Sequence, residues 1–359
     1  MDKAIDKKKI AEQLAAAKGS IAMFADGFID EQWSLVNKRH SMQEVDIIGK
    51  MTQFADRINA VGSGGMGIEL IKKRVVYGGF TANIGAAAAS LGVETVMAGL
   101  FGEGEVDPVF ADLQKISKMI TLGEPSITHA LEFDDGKILM SNMQAVLGMS
   151  WNRIVEVLGK DEIIKMITKA DIIGVGYWSI MPAFDEIVRE LCAIMPDDKK
   201  QRSFFFDFAD FSRRDRPSLV ATLEMLKGLN NQVPMILSVN EHEAAVVFEI
   251  FGETLNDNNV AQKIEPVRQR LGFDELVIHT PHYAAAASKK DGSAVIPQAY
   301  VEKPVRSAGA GDTFNGGYIA ATLADLTLNQ RLYAANAAVT HFLKTGQPPS
   351  QSNLKQVFV

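Results

Sequence analysis

The amino-acid sequence predicts an α/β fold: a doubly wound, mainly parallel sheet flanked by helices, with a small β-sheet lid. Three observations predict it. Short apolar runs alternate with helix-length segments along the 359 residues, the pattern of strands joined by helical crossovers. The runs "SFFFDFAD", "PMILSVNE" and "ELVIHT" are continuously apolar, as strands covered on both faces are. The runs also end in polar residues, at the sheet edge where such folds bind ligands. Asp26, Asp30, Asp207, Asp210, Asn240, Glu243 and Thr280 stand at those ends. The length suits one domain over 1–359 rather than two equal halves.

The elements follow in order. "MDKAIDKKKIAEQLAAAKGS" has the spacing of an amphipathic surface helix. Ile21 to Phe24 is the first buried strand. "EQWSLVNKR" is strand-like with mixed polarity, "KMTQFADRINAV" is helical in period, and "GIELIKKRVVY" is strand-like again. "TANIGAAAASLG" reads as a helix and "ETVMAGLFG" as a strand. "SITHALEFDDGKILMSNM" is a hairpin closed by an Asp-Gly turn signal. It joins the two mixed strands in a side sheet, with lid strands inserted at about 31–40, 67–77 and 126–143. The bland alternative is a decorative hairpin. "ADIIGVGYW" is a buried strand, followed by a helix from about Pro182 to Ile194. A turn is expected at 256–260 and a last helical stretch from Asp312 onward.

Composition excludes several classes. At 47% hydrophobic and 23% charged the chain is an ordinary globular one. No apolar run reaches membrane-spanning length, and the N-terminus lacks a signal-peptide core. Net charge is −7 with no basic stripe, which argues against nucleic acid. The one cysteine, Cys192, allows no internal disulfide and reads as core. A cytoplasmic location fits these features. Gly62, Gly64 and Gly67 match G-x-G-x-x-G, but the order around them is helix then strand, the reverse of a dinucleotide site. A nicotinamide oxidoreductase is therefore remote.

The chemistry concentrates in "RSAGAGDTFNGGY" at 306–318. Gly309–Ala310–Gly311 lies in the turn entering a helix. The first amides of a helix lack internal acceptors and carry partial positive charge, and glycine lets an anion reach them. A phosphate is the natural guest. Asp312 beside that hole has two readings: a helix cap, or the acceptor of a proton from a hydroxyl attacking the phosphate. The helix terminus is expected to keep it ionised, with an ordinary carboxyl pKa of about 4. Gly316–Gly317 inside the helix costs about 1 kcal/mol per glycine relative to alanine, so another backbone or a ligand is expected to come close there.

These residues resemble the C-terminal signature of the ribokinase-like (PfkB-type) carbohydrate kinases. Two further stretches agree, in the family's order: "YGGFTANIGAAAASLGVETVMAGLFGEGEVDPVF", and "SVNEHEA" with its N-x-x-E. The resemblance runs from about 20 to 350. It implies a ribokinase-like fold and an ATP- and magnesium-dependent kinase that phosphorylates a hydroxymethyl group of a sugar or polyol. By resemblance Asp312 is the catalytic base, and the amides from Gly309 through Ala310 and Gly311 to Asp312 form the anion hole. Asp30, Gly79 and Asn83 would bind substrate. Asn240, Thr280 and Asn336 would line the nucleotide site. Glu243 would organise Mg2+, largely through water. Plainer readings stand beside these: a helix cap for Asn83, a solvated helix start for "NEHEA", a polar residue in a small-residue helix for Asn336. The side sheet would close over the sugar, and a homodimer through that lid is expected.

Departures from the pattern are local. Arg306–Ser307 replaces Asp-Thr, and Arg306 is suited to a phosphate or a substrate carboxylate. Pro281–His282–Tyr283 replaces glycines after Thr280, leaving the preferred donor open. Arg213, Arg214 and Arg216 read as a solvated loop before a substrate contact. A nucleoside kinase of the same family is the near alternative, with Trp33, Phe133 and Met140 as apolar surface for a base. A catalytically weak binding relative is the alternative from another class.

Overall fold

The computed structural model describes residues 5–256 and 259–358. Its strands are β1 (Ser20–Phe24), β2 (Phe28–Arg39), β3 (Val45–Ile47), β4 (Leu70–Gly78), β5 (Glu94–Gly99), β6 (Lys118–Thr121) and β7 (Ser126–Phe133). There follow β8 (Gly136–Asn142), β9 (Ile172–Val175), β10 (Ser203–Asp207), β11 (Met235–Asn240), β12 (Glu275–His279), β13 (Tyr283–Ser288) and β14 (Gly292–Pro297). Nine form one sheet in the order β14-β13-β12-β11-β10-β9-β1-β5-β6. It is parallel from β12 to β6, and β13 and β14 add an antiparallel edge.

Alternation along the buried strands feeds two cores. Ile21 and Met23 of β1 join one apolar cluster, and Ala22 and Phe24 join the other. Phe205 goes one way and Phe204 and Phe206 the other. Helices cover both faces, which is why these strands are apolar at every position. The helices Phe80–Ser90, Ala310–Leu323 and Leu328–Thr345 contribute to the first cluster. Cys192 lies in the second, where burial pushes its thiol up to about 12.

The second sheet holds β3-β2-β7-β8, with β4 on the remaining side of β2. Its alternation has a functional consequence. Asp30 and Gln32 of β2, Arg74 of β4, Thr128 and Glu132 of β7 and Lys137 of β8 share one face, in register. Glu31, Trp33, Val75, Ile127, His129 and Met140 share the other.

Some elements depart from the sequence reading. β6, β13 and β14 were not legible, and β2 starts three residues before position 31. β13 is "YAAAAS", whose alanines carry little strand preference; pairing with β12 on one side and β14 on the other makes it a strand. The N-terminal helix is Lys7–Ala16, and residues 1–4 of the expected segment lie outside the described residues. So do 257 and 258 of the expected turn. The G-x-G-x-x-G glycines lie in the connection between the helix Met51–Val61 and β4. Among the described residues no helix is long and apolar enough to cross a membrane.

Gly316 and Gly317 have a packing explanation. A Cβ on Gly316 would run into Ala87 and meet the Ala88 backbone nitrogen at 3.0 Å, and one on Gly317 would lie 2.9 Å from the Ala338 Cβ. What comes close is therefore the alanine Cβ and backbone atoms of two helices: Ala310–Leu323 is pressed between its two neighbours. Gly316→Val should destabilise the fold by about 1–3 kcal/mol through overpacking. Gly228→Ala, in a helix where an added Cβ meets nothing within 4 Å, should stabilise it by up to about 1 kcal/mol. Denaturant melts of the two variants check both signs.

Candidate active site

Asp312 sits in the first turn of the helix Ala310–Leu323, which Gly309 enters in a left-handed conformation (φ 87°). Its side chain is buried and doubly bonded. Tyr177 Oη donates to Oδ1 at 2.7 Å, and Asn83 Nδ2 donates to Oδ2 at 2.8 Å. Asn83 is on the first turn of Phe80–Ser90 but does not cap that helix. Asp26 does, accepting from the Phe80 and Thr81 amides at 2.8 Å each. Gly79 leaves room for this: a Cβ there would stand 2.7 Å from Asp26 Oδ2. One strand end, through Tyr177 past β9, and two helix starts thus converge on one carboxylate.

The expected pKa of about 4 for Asp312 needs correction. Burial first, then the nearby Asp207 carboxylate, pushes it up to about 7, against the hydrogen bonds from Tyr177 and Asn83. The helix terminus does not outweigh desolvation here. One amide of the expected anion hole is engaged: Ala310 N donates to Ser307 O at 3.1 Å. Among the described residues no acceptor meets the amides of Gly309, Gly311 and Asp312.

A second group of carboxyls lies alongside. Asp207, at the end of β10, accepts from Asn315 Nδ2 at 2.8 Å and from Ala209 N at 2.9 Å. Burial, then the neighbouring Glu243, pushes it up. Glu243 is pushed up as well, by burial and by Asp210 and Asp312. Asn240 and Glu243 form a reciprocal capping box: Asn240 Oδ1 accepts from Glu243 N at 3.0 Å, and Glu243 Oε2 accepts from Asn240 N at 2.9 Å. Asn240 Nδ2 donates to Glu243 Oε1 at 2.6 Å. Each carboxylate oxygen keeps a further lone pair. No three His, Cys, Asp or Glu side chains among the described residues meet as a ready metal cage. Two repelling carboxyls fit a cation reached through water rather than an all-protein site.

Two cavities meet at Pro304 and Ser307. One, about 430 Å³, brings together Asn240, Thr280, Gly311 and Asn336. The Thr280 hydroxyl is occupied there, donating to Tyr283 O at 3.0 Å and accepting from the His282 and Tyr283 amides. Asn336 Nδ2 donates to Pro297 O at 3.3 Å. His279, pushed down to about 4 by burial, adds a neutral imidazole beside Gly311. The other cavity, about 500 Å³, is lined by Asp30, Gln32, Arg74, Thr128 and Lys137 of the side sheet and by Arg306. Burial pushes the Asp30 carboxyl up, offset by Thr128, Arg306 and Lys137.

Other readings sort by position. Phe133 lines the second cavity; Trp33 and Met140 are on the opposite face of the side sheet, which removes two of the three residues suggested for a nucleoside base. Arg214 stacks over the Trp178 ring at 4.2 Å, Arg216 pairs with Glu249 at 3.0 Å, and Arg213 lies 3.9 Å from Asp210. These arginines hold a loop. Tyr177 is not among the residues the sequence singles out, and Asp207 stands there only as a polar strand end. Asp207 ends β10 and Tyr177 lies two residues past β9; nothing in the sequence aims Tyr177 at a residue 135 positions away.

Asp207→Asn removes the like charge and should lower the Asp312 titration midpoint below about 7, whereas Tyr177→Phe removes a donor and should raise it. Carbon-13 NMR of the labelled carboxyl reads both directions.

Comparison with known proteins identifies the family and the fold. The model of the prokaryotic ketohexokinase family (Khk) matches residues 3–359. The ketohexokinase of Haloferax volcanii is 26% identical over 343 residues, covering 94% of this chain and 90% of that protein. The ATP-dependent ribose-1-phosphate kinase of Halopiger xanaduensis is 28% identical over 273 residues, covering 72% and 78%. Among solved structures, Arabidopsis thaliana ribokinase complexed with ribose and ATP aligns with a TM-score of 0.65 at 15% identity, covering 95% of this chain and 99% of that one. A ribokinase II from E. coli in complex with ATP and Mg2+ aligns at 0.64 and 14% identity, covering 94% and 98%. At these identities the two structures speak for the fold.

Proposed function

The chain belongs to the prokaryotic ketohexokinase family and is a sugar kinase; from that premise we propose that it transfers the γ-phosphoryl group of ATP to a hydroxymethyl group of its sugar, with Asp312 as the base. One observation carries the reading: a buried carboxylate, oriented through both oxygens, stands at a helix start whose Gly311 and Asp312 amides remain unengaged. Asp312 accepts the hydroxyl proton as the new O–P bond forms, and those amides meet the charge on the transferring group. Tyr177 and Asn83 hold the carboxylate in place. Asp30 receives sugar hydroxyls, and Asn336 lines the space for the nucleotide. A hydrated magnesium ion held toward Glu243 and Asp207 would neutralise phosphate charge when bound. The side sheet serves as a lid that excludes water from the acceptor. A ketohexose, the sugar in the name of the Haloferax relative, is the first acceptor to try.

Asp312→Asn should lower kcat by about 10²–10⁴-fold in a coupled ADP-release assay with fructose, without changing the circular dichroism spectrum. Turnover equal to wild type would overturn the base assignment. The pH dependence has a defined sign. A carboxyl raised to about 7 is protonated below that pH and cannot accept a proton, so kcat/KM should rise as pH climbs through about 7. A profile already flat from pH 5 upward would contradict it.

Pairing of two copies belongs to the same proposal. The side-sheet face turned from the cavity exposes Val75, Ile127 and Met140 at 41%, 40% and 57%, an apolar patch suited to a partner. Light scattering should give twice the 39.1 kDa chain mass, and Met140→Lys should shift it toward the monomer. A monomeric wild type would sink the idea.

A further inference from the structure

We propose that the preferred acceptor carries an anionic group, a phosphate or a carboxylate, remote from the hydroxyl that is phosphorylated, and that Arg306 and Arg74 hold it. This deepens the sugar-kinase reading and rests on it for the reaction, though not for the binding.

Arg306 follows Pro304–Val305 on the wall facing the side sheet. Its guanidinium lies over the Phe342 ring at 5.3 Å, and its Nε is buried without a hydrogen-bond partner. Among the described residues it pairs with no carboxylate. Arg74 is opposite, and its bond is to the neutral Gln32. The two guanidinium groups oppose one another electrostatically, while Tyr77, Asp30 and Asp312 act on Arg306 in the opposite sense. A guanidinium whose Nε is buried and unpaired is costly, and Arg306 is in that state. The exposed Arg74 adds a second guanidinium to the same cavity, and together they suit an oxyanion, which accepts planar N–H forks bidentately.

The other charges do not cancel the pair. Lys137 is directly across from Glu132 in the β7–β8 register. Asp134 is turned toward Gly49, whose added Cβ would touch its carboxylate at 2.7 Å. Asp30 remains, and it suits acceptor hydroxyls. The location also separates acceptor from donor. Arg306 and Arg74 line the side-sheet cavity and are absent from the cavity holding Asn240, Thr280 and Asn336. The group they meet therefore belongs to the acceptor, not to the nucleotide.

Two measurements on the full chain test this. Equilibrium binding without nucleotide compares fructose, fructose 6-phosphate and a six-carbon keto-aldonate. At least one anionic sugar should bind tenfold or more tightly than fructose, and Arg306→Ala should erase the difference while Arg306→Lys restores part of it. The phosphate and carboxylate arms show which oxyanion is meant. Initial rates with ATP then give the ratio of kcat/KM for the anionic to the neutral acceptor, which should fall at least tenfold in Arg306→Ala and in Arg74→Ala. Equal affinity for neutral and anionic sugars overturns the proposal. So does an equal loss of kcat/KM on both acceptors, which would assign Arg306 to the transferring phosphoryl group. Selective binding of an anionic sugar with no phosphoryl transfer from ATP would overturn the kinase chemistry and leave this inference standing.

Discussion

The site depends on how closely three helices approach. Gly316 and Gly317 let Ala310–Leu323 settle against Phe80–Ser90 on one side and Leu328–Thr345 on the other, with backbone atoms and alanine Cβ atoms in contact. That approach brings the first turn of one helix against the first turn of the next, so Asn83 reaches Asp312. A side chain at Gly316 would press on the helix that carries Asn83, and one at Gly317 on Leu328–Thr345. The packing of small residues and the orientation of Asp312 are therefore one constraint seen at two ends of a helix.

A second consequence is electrostatic. Asp26, Asp207, Glu243 and Asp312 are all buried around the ends of the parallel strands. Each is supplied with donors: helix amides for Asp26, Asn315 for Asp207, Asn240 for Glu243, Tyr177 and Asn83 for Asp312. Hydrogen bonds satisfy the oxygens but do not remove the charge, which is why burial still raises these carboxyls. Such an arrangement is unfavourable for the isolated chain and suits partners that bring positive charge or a proton.

Much of this was legible in the sequence, for identifiable reasons. Continuous apolar runs report burial on both faces whatever lies above them, so β1, β5, β9, β10, β11 and β12 read correctly. The glycine turn before Asp312 reports a backbone that must stay bare. What remained hidden were relations across the chain. Tyr177 points at Asp312 because β9 lies beside β1 and β10, a matter of strand order. Thr280 looked available, yet its hydroxyl closes the turn between β12 and β13. The raised pKa of Asp312 depends on burial and then on Asp207, which is distant in sequence and near in space.

The two-residue period of the side sheet has a consequence for how such an enzyme diversifies. Positions facing the side-sheet cavity alternate with positions that pack or face outward, so under the proposed function acceptor chemistry would be written on every second residue of β2, β4, β7 and β8. These residues are outside the two large cores. Substitution there would leave the helix carrying Asp312, locked by its glycines, as it is. With the roles proposed above, specificity is free to drift where catalysis is not.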